Sequence, residues 1–349
     1  MNKLKYIFRF LTAIVCAGVL HSCHIEYFDD EDCDYTVRLR YDYNFENESD
    51  VNLLSDYVFS LDEYLFDEAG VLQGIHPLAL DECDNTWQSD LDLLPGKYSI
   101  IAIGNRSEMS VINEAVVGQT RREDMLMTLD VSRTRATTGS AGNTDKLYYG
   151  YRTFSIEQNK VTNVRVDMVH QHFSLRYRVR WETNTPNGGD YVAKLEGVPS
   201  HYAVMPQYVY PEINQCEDYD CDAHDLFALQ PTWVKHHICR VSLTDNVMDH
   251  AQNGYINMSA EVNGHFITYR HRNDTHATFR LYRRTGAGEL TPVMKAIDLS
   301  AHLTHPAIGV DLDRTLKQEY AIEFIIKSNG QVEVNFIDIA DWDEGGAIG

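Results

Sequence analysis

Nothing in the 349 residues is long and apolar enough to span a bilayer. The longest apolar run, Phe10 to Leu20, stops well short of the roughly 20 residues that a spanning helix needs. No GxGxxG, P-loop, HExxH or GxSxG motif occurs, which removes a phosphate cradle, a zincin site and a nucleophile elbow from consideration. Basic residues are scarce: 30 Lys and Arg stand against 52 Asp and Glu, for a formal charge of −22. Such a surface repels phosphate backbones and anionic lipid, so nucleic acid is not expected as a partner. The scarcity is sharpest from Tyr41 to Gly96, where no Lys or Arg occurs at all. Internal repeats of 20–50 residues are absent. With so many carboxylates some pair always lies at a glycosidase-like spacing, so pairing alone argues for no chemistry. No catalytic residue and no cofactor is expected.

What is present begins with a leader. Lys3, Lys5 and Arg9 precede the apolar run, which ends in Leu20-His21-Ser22-Cys23. Charge, core length and end read as a signal peptide over residues 1–22. The last four residues resemble the lipobox of bacterial lipoproteins, with His21 departing from the usual small residue. Cys23 is the lipidation residue on this reading, tying the mature chain to a membrane that it does not cross. Residues 23–34 follow as an acidic tether, and similar runs in the Bacteroidetes look like an address for the outer face of the outer membrane. Once the three basic residues leave with the leader, the formal charge falls to −25.

Beyond the tether the pattern is that of strands. Tyr35 to Tyr43 alternates apolar and polar over nine residues, the mark of a half-buried strand. Tyr57 to Phe66, Leu147 to Ile156, Val161 to Val169 and Phe173 to Trp181 continue the scheme. Trp87 to Leu93 and Lys97 to Ile103, joined at Pro95-Gly96, predict a hairpin, and Tyr320 to Lys327 with Val332 to Ile339 predict another around Ser328-Asn329-Gly330. Met109 to Val117 predicts one short helix. Ser132 to Asp145, rich in small polar residues, reads as a long exposed loop. The expectation is an all-β chain of two tandem β-sandwiches, over 35–168 and 169–349.

Seven cysteines leave five in the fold once Cys16 is removed and Cys23 is acylated. Cys33 and Cys83 flank strands of the same half and form the expected disulfide. Cys216, Cys221 and Cys239 offer three pairings that sequence does not rank. His170-x-His172 shares one strand face, and Cys216, Cys221 and His224 lie amid Asp218, Asp220 and Asp222. Neither group is taken as a metal site: zinc sites use tighter CxxC pairs, and the acidic loop lacks the Gly and distal Glu of a calcium loop. Trp181 alternates with core residues and is expected to be buried, and four tryptophans are few for glycan-stacking platforms.

The order of features resembles the FimB-like fimbrial anchor family of the Bacteroidetes, which includes minor-fimbriae anchors and is encoded with type V pilins. The matching pieces are the lipobox, Cys33-Asp34-Tyr35-Thr36-Val37-Arg38-Leu39-Arg40-Tyr41-Asp42-Tyr43-Asn44, Tyr64-Leu65-Phe66-Asp67-Glu68-Ala69-Gly70, Leu94-Pro95-Gly96-Lys97-Tyr98 through Ala102-Ile103-Gly104-Asn105, and Leu147-Tyr148-Tyr149-Gly150. The resemblance implies transthyretin-like sandwiches and a lipoprotein that holds a pilus to the outer membrane and limits its length. It also implies pilin subunits as partners, joined by strand donation. Related pilins lose their first strand to a trypsin-like protease, whereas this chain offers such a protease no basic residue from Tyr41 to Gly96. Two other readings stay open: a minor tip pilin or adhesin, and a surface glycan-binding lipoprotein.

Overall fold

The computed structural model describes residues 35–337, apart from 45–48, 81–83, 85, 114, 134–139, 184–185, 187–188, 210–235, 242–246 and 258–259. Twenty strands, two short α-helices and a 3-10 turn at Arg122–Asp124 make up the described elements, α1 being Leu54–Tyr57 and α2 Leu299–Leu303. The all-β expectation holds.

The first seven-stranded sheet runs in the order β3 (Leu72–Ala79), β2 (Ser60–Asp67), β5 (Gly96–Gly104), β8 (Tyr148–Ile156), β9 (Thr162–His170), β1 (Val37–Asp42), β4 (Gln88–Leu91). Its strands β8 and β9 pair only over Tyr148–Gly150 and Met168–His170. At that corner the sheet folds over, so β9-β1-β4 faces β2-β5-β8 across a core that includes Leu39, Tyr41, Leu61, Leu65, Ile100 and Val166. A second sheet, β13 (His236–Val241), β12 (His201–Val209), β7 (Leu126–Leu129), β6 (Ser110–Ile112), covers the other face of β2 and β5. Burial on both faces explains why Ser99-Ile100-Ile101-Ala102-Ile103 does not alternate: Ile100 and Ala102 point one way, Ile101 and Ile103 the other.

A further sandwich packs β15 (Glu261–Tyr269), β10 (His172–Trp181), β19 (Gln318–Ile326), β20 (Val332–Phe336) against β14 (Val247–Tyr255), β11 (Asp190–Pro199), β16 (Thr278–Arg284), β17 (Leu290–Pro292), with β18 (Ile297–Asp298) beside β16. Phe173, Tyr177, Phe266, Phe279 and Phe324 fill its core, the rings of Phe279 and Phe324 stacked at 4.3 Å. Since β7 pairs with β12, one sheet lies across the division expected near residue 168. Arg270, fully buried, donates from its guanidinium to the carbonyl oxygens of His170, Thr315 and Leu316, binding the end of β9 to the chain entering β19.

Three local expectations need correction. Ser132 to Asp145 is not exposed throughout: Ser140, Ala141, Thr144 and Asp145 are buried, Ala141 bonding the backbone of β14. Strands β4 and β5 lie either side of Pro95-Gly96 as predicted but form no hairpin: β4 pairs with β1, and β5 with β2 and β8. Met109 to Val117 is no helix, because Ser110–Ile112 pairs with β7 and the Asn113 side chain accepts from Leu126 N and donates to Asp124 O. The hairpin at Asn329-Gly330 is present, with Gly330 at φ 79° where a side chain would be strained.

Candidate functional site: the first strand and its groove

Strand β1 is paired along both edges. It runs antiparallel to β4, from Val37↔Leu91 to Arg40↔Gln88, and parallel to β9, from Val37↔Thr162 to Asp42↔Asp167. Thr36 clamps its start. Its hydroxyl donates to Leu93 O (2.9 Å) and accepts from Leu93 N (2.7 Å), and its carbonyl accepts from Thr162 N. The sequence alternation decides the faces. Val37, Leu39, Tyr41 and Tyr43 are completely buried in the groove between the folded halves of the sheet.

At the groove floor lies Glu63, a fully buried carboxylate on an inward position of β2 between Leu61 and Leu65. Tyr41 donates to it at 2.7 Å and Ser89 at 3.3 Å, and His76 Nδ1 lies 3.3 Å away. Residues from β1, β3 and β4 thus converge on one carboxylate of β2. Burial pushes the Tyr41 phenol well above its ordinary value, with Glu63 adding to the effect. The bond to Glu63 raises the His76 imidazole. A buried anion left without such donors is costly, so β1 and β4 are held where they satisfy it.

The outer face of β1 carries charge. Arg38 grips Asp90 of β4 with two bonds, 2.8 and 3.0 Å, a fork that fixes register. Asp42 accepts from Arg40 (2.9 Å), Arg165 (2.8 Å) and Asn52 (2.9 Å). Asn52 also bonds Tyr41 O and Tyr43 N, which ties the chain after β1 back onto it. Burial pushes the Asp167 carboxyl up, against the pull of Arg165. Both arginines that a trypsin-like protease could use in this region, Arg38 and Arg40, therefore lie inside a strand paired on two sides.

Of the residues singled out by sequence, Cys23, Cys33, Cys83, Cys216, Cys221, His224 and the aspartates 218, 220 and 222 lie outside the described residues. Cys239 is buried and unbridged. Trp181 is partly rather than fully buried, tilted on Tyr191 at 5.7 Å; Trp87 stacks on Tyr41 at 6.0 Å. His170 and His172 do come together, at the crossing from β9 to β10, and Glu319 of β19 joins them. Sequence reading missed Glu63, Asp90, Arg165 and Glu319. Only Glu63 left a signal, as a charge in the apolar phase of a strand.

Comparison with known proteins adds the following. A family model described as Mfa2, fimbrillin-A associated anchor proteins Mfa1 and Mfa2, matches residues 29–344. No curated protein sequence matches the chain. Among solved structures, the fimbrial anchor protein Mfa2 from Porphyromonas gingivalis superposes with a TM-score of 0.54 at 15% identity, covering 83% of this chain and 89% of that one. A candidate adhesin from Bacteroides thetaiotaomicron gives 0.59 at 15% identity, covering 88% and 97%. A protein from the same species, described as a candidate polysaccharide-binding protein, gives 0.56 at 13% identity, covering 87% and 98%. At these identities the superpositions establish a shared fold.

Proposed function

The chain belongs to the family of fimbrillin-A associated anchor proteins, and from that premise we propose that it is a lipoprotein of the outer membrane that holds a fimbria at the cell surface and limits its length. The observation that carries the reading is the placement of β1. That strand fills its own groove, pairs on both edges, and continues directly into the segment that leads back to Cys23. A subunit that polymerises by strand exchange must vacate such a groove. A terminal anchor instead keeps the strand, because the strand is its link to the lipid. Pilin partners then pair with another edge of this chain, and the sheet offers no basic residue from Tyr41 to Gly96 at which a trypsin-like protease could release β1.

The test is the mature N-terminus. Protein recovered with purified fimbriae should begin at a lipidated Cys23, and Cys23→Ala should abolish palmitate labelling and release the protein from membranes. A surface form beginning after residue 44 identifies a polymerising or tip subunit and sinks the anchor reading. Deleting the protein should shed long fimbriae into the medium.

A further inference from the structure

The crossing between the two sandwiches is one residue long, and the side chains on either side of it are both imidazoles. His170 closes β9, Gln171 crosses, and His172 opens β10. Both imidazoles are almost fully buried, with their ring centroids 3.7 Å apart and their planes inclined by 36°. Tyr148 stands edge-on to both, at 5.6 and 6.0 Å. Glu319 reaches the pair from β19, which runs parallel to β10 with Ser174 opposite Glu319.

We propose that His170, His172 and Glu319 form a three-ligand site for a zinc ion, with water as the fourth ligand. One ligand atom from each residue lies within 4.8 Å of the other two. The separation of His170 Nε2 and Glu319 Oε1 is 3.2 Å. Tetrahedral zinc with Zn–N and Zn–O bonds of about 2.0–2.1 Å sets its ligands roughly 3.3 Å apart, so this edge is already at length. The Glu319 edge to His172 closes by side-chain rotation of Glu319, the one partly exposed member, and the edge between the two imidazoles by small ring rotations of His170 and His172. Its exposure also gives water a way to the fourth position.

The surroundings of His172 fit a ligand. Its Nδ1 lies 3.0 Å from the carbonyl oxygen of Leu147, which fixes Nδ1 as the protonated nitrogen of the neutral ring and leaves Nε2 with its lone pair. Zinc-bound histidines are oriented in this way, by donating the other ring N–H to a carbonyl or carboxylate. Two imidazoles and a carboxylate suit zinc rather than magnesium or calcium, which take oxygen ligands. Basic groups stand near and set the affinity: Lys317 Nζ is 3.8 Å from Glu319 Oε2, Arg176 also acts on Glu319, and Lys146 and Arg270 act on His172. A divalent ion competes with Lys317 for the carboxylate, so removing that lysine should tighten binding. Occupied, the site joins the last residue of β9 and the first of β10 to β19, across the crossing. The inference stands apart from the anchor reading and neither needs the other.

The experiment uses the full chain, purified in detergent without a histidine tag and stripped of metal, and titrates it with zinc and with cobalt(II) as a visible probe. One zinc per chain should bind, and bound cobalt should give the intense visible bands of a tetrahedral site. His172→Ala and Glu319→Gln should each weaken binding at least about tenfold, whereas Lys317→Met should strengthen it. Glu319→Gln changes a partly exposed group, so circular dichroism and the melting temperature of the metal-free protein should match wild type. Absence of stoichiometric zinc overturns the proposal. So does zinc binding that persists undiminished in both His172→Ala and Glu319→Gln, which places the metal on others of the 15 histidines, and so does a cobalt spectrum of octahedral type.

Discussion

Acid should unfold this protein through three histidines before its carboxylates are protonated. His236, His250 and His271 are buried to within one per cent. Burial pushes the imidazoles of His236 and His250 down to about 4, and that of His271 to about 3. His237 and Arg165 add to the effect at His236, and His250 and Arg270 add at His271. At His250 the bond to Gly142 O and the charge of Asp249 work the other way. In the unfolded chain all three titrate near 6.5. Between about pH 4 and 6.5 the unfolded state therefore binds protons that the folded state refuses, so stability rises with pH across that window and is complete above it. At pH 5 each residue costs about 2 kcal/mol relative to neutral pH, and the three together about 6 kcal/mol, taking one pH step as 1.36 kcal/mol per proton. That equals the whole stability of a marginal domain. His76, raised by Glu63, acts with the opposite sign and is half exposed, so it offsets little. Urea denaturation at pH 7.5, 6.0 and 5.0 should show a slope of about 4 kcal/mol per pH step or more at the acid end, three protons from these residues, with His172 and His265, also pushed down by burial, adding to it. A stability that stays flat down to pH 5, or imidazole resonances of the folded protein that titrate near 6.5, refutes the reasoning.

Three further outcomes are expected. Leu39→Ala, in the middle of β1, should cost about 2–5 kcal/mol as a cavity in the groove and should expose Arg38 and Arg40 to trypsin; unchanged melting and unchanged digestion argue that β1 is not bound as described. Limited trypsin digestion of wild type should cut first between Ser132 and Asp145, at Arg133 or Arg135, with β1 left on the N-terminal fragment; first cleavage at Arg38 or Arg40 overturns this. Non-reducing peptide maps should show Cys33 joined to Cys83, closing a loop of roughly 50 residues that adds at most about 4 kcal/mol, and free alkylation of both thiols in folded protein ends that idea.

The sequence announced β1 because one of its faces is apolar and the other charged, so period two survives in the residues themselves. It announced the β19–β20 turn because Gly330 needs a backbone conformation that few other residues adopt. It misled at β5, whose two faces are both covered, so the strand shows no alternation and gives no hint of its neighbours. Leu94-Pro95-Gly96 then looks like a hairpin, although the strands around it part to opposite sides of the sheet. The pairing of Thr128 with His201 joins residues far apart in the chain, and no local pattern encodes it. For the same reason His170 and His172 were visible as a pair but Glu319 was not: only the parallel register of β10 with β19 brings it alongside.

The placement of β1 also has a mechanical meaning. On the proposed anchor role, a fimbria dragged by flowing liquid would transmit tension through its base to the lipid, and that tension would enter the fold at Tyr35. Pulled along its axis, β1 meets four register pairs with β4 and six with β9. Force in that direction shears all of them together, whereas force across a strand peels its bonds one at a time. The Arg38–Asp90 fork and the Thr36–Leu93 clamp lie at the loaded end and take the first strain. Resistance to tearing is thereby set by a strand of six residues and the two neighbours that grip it.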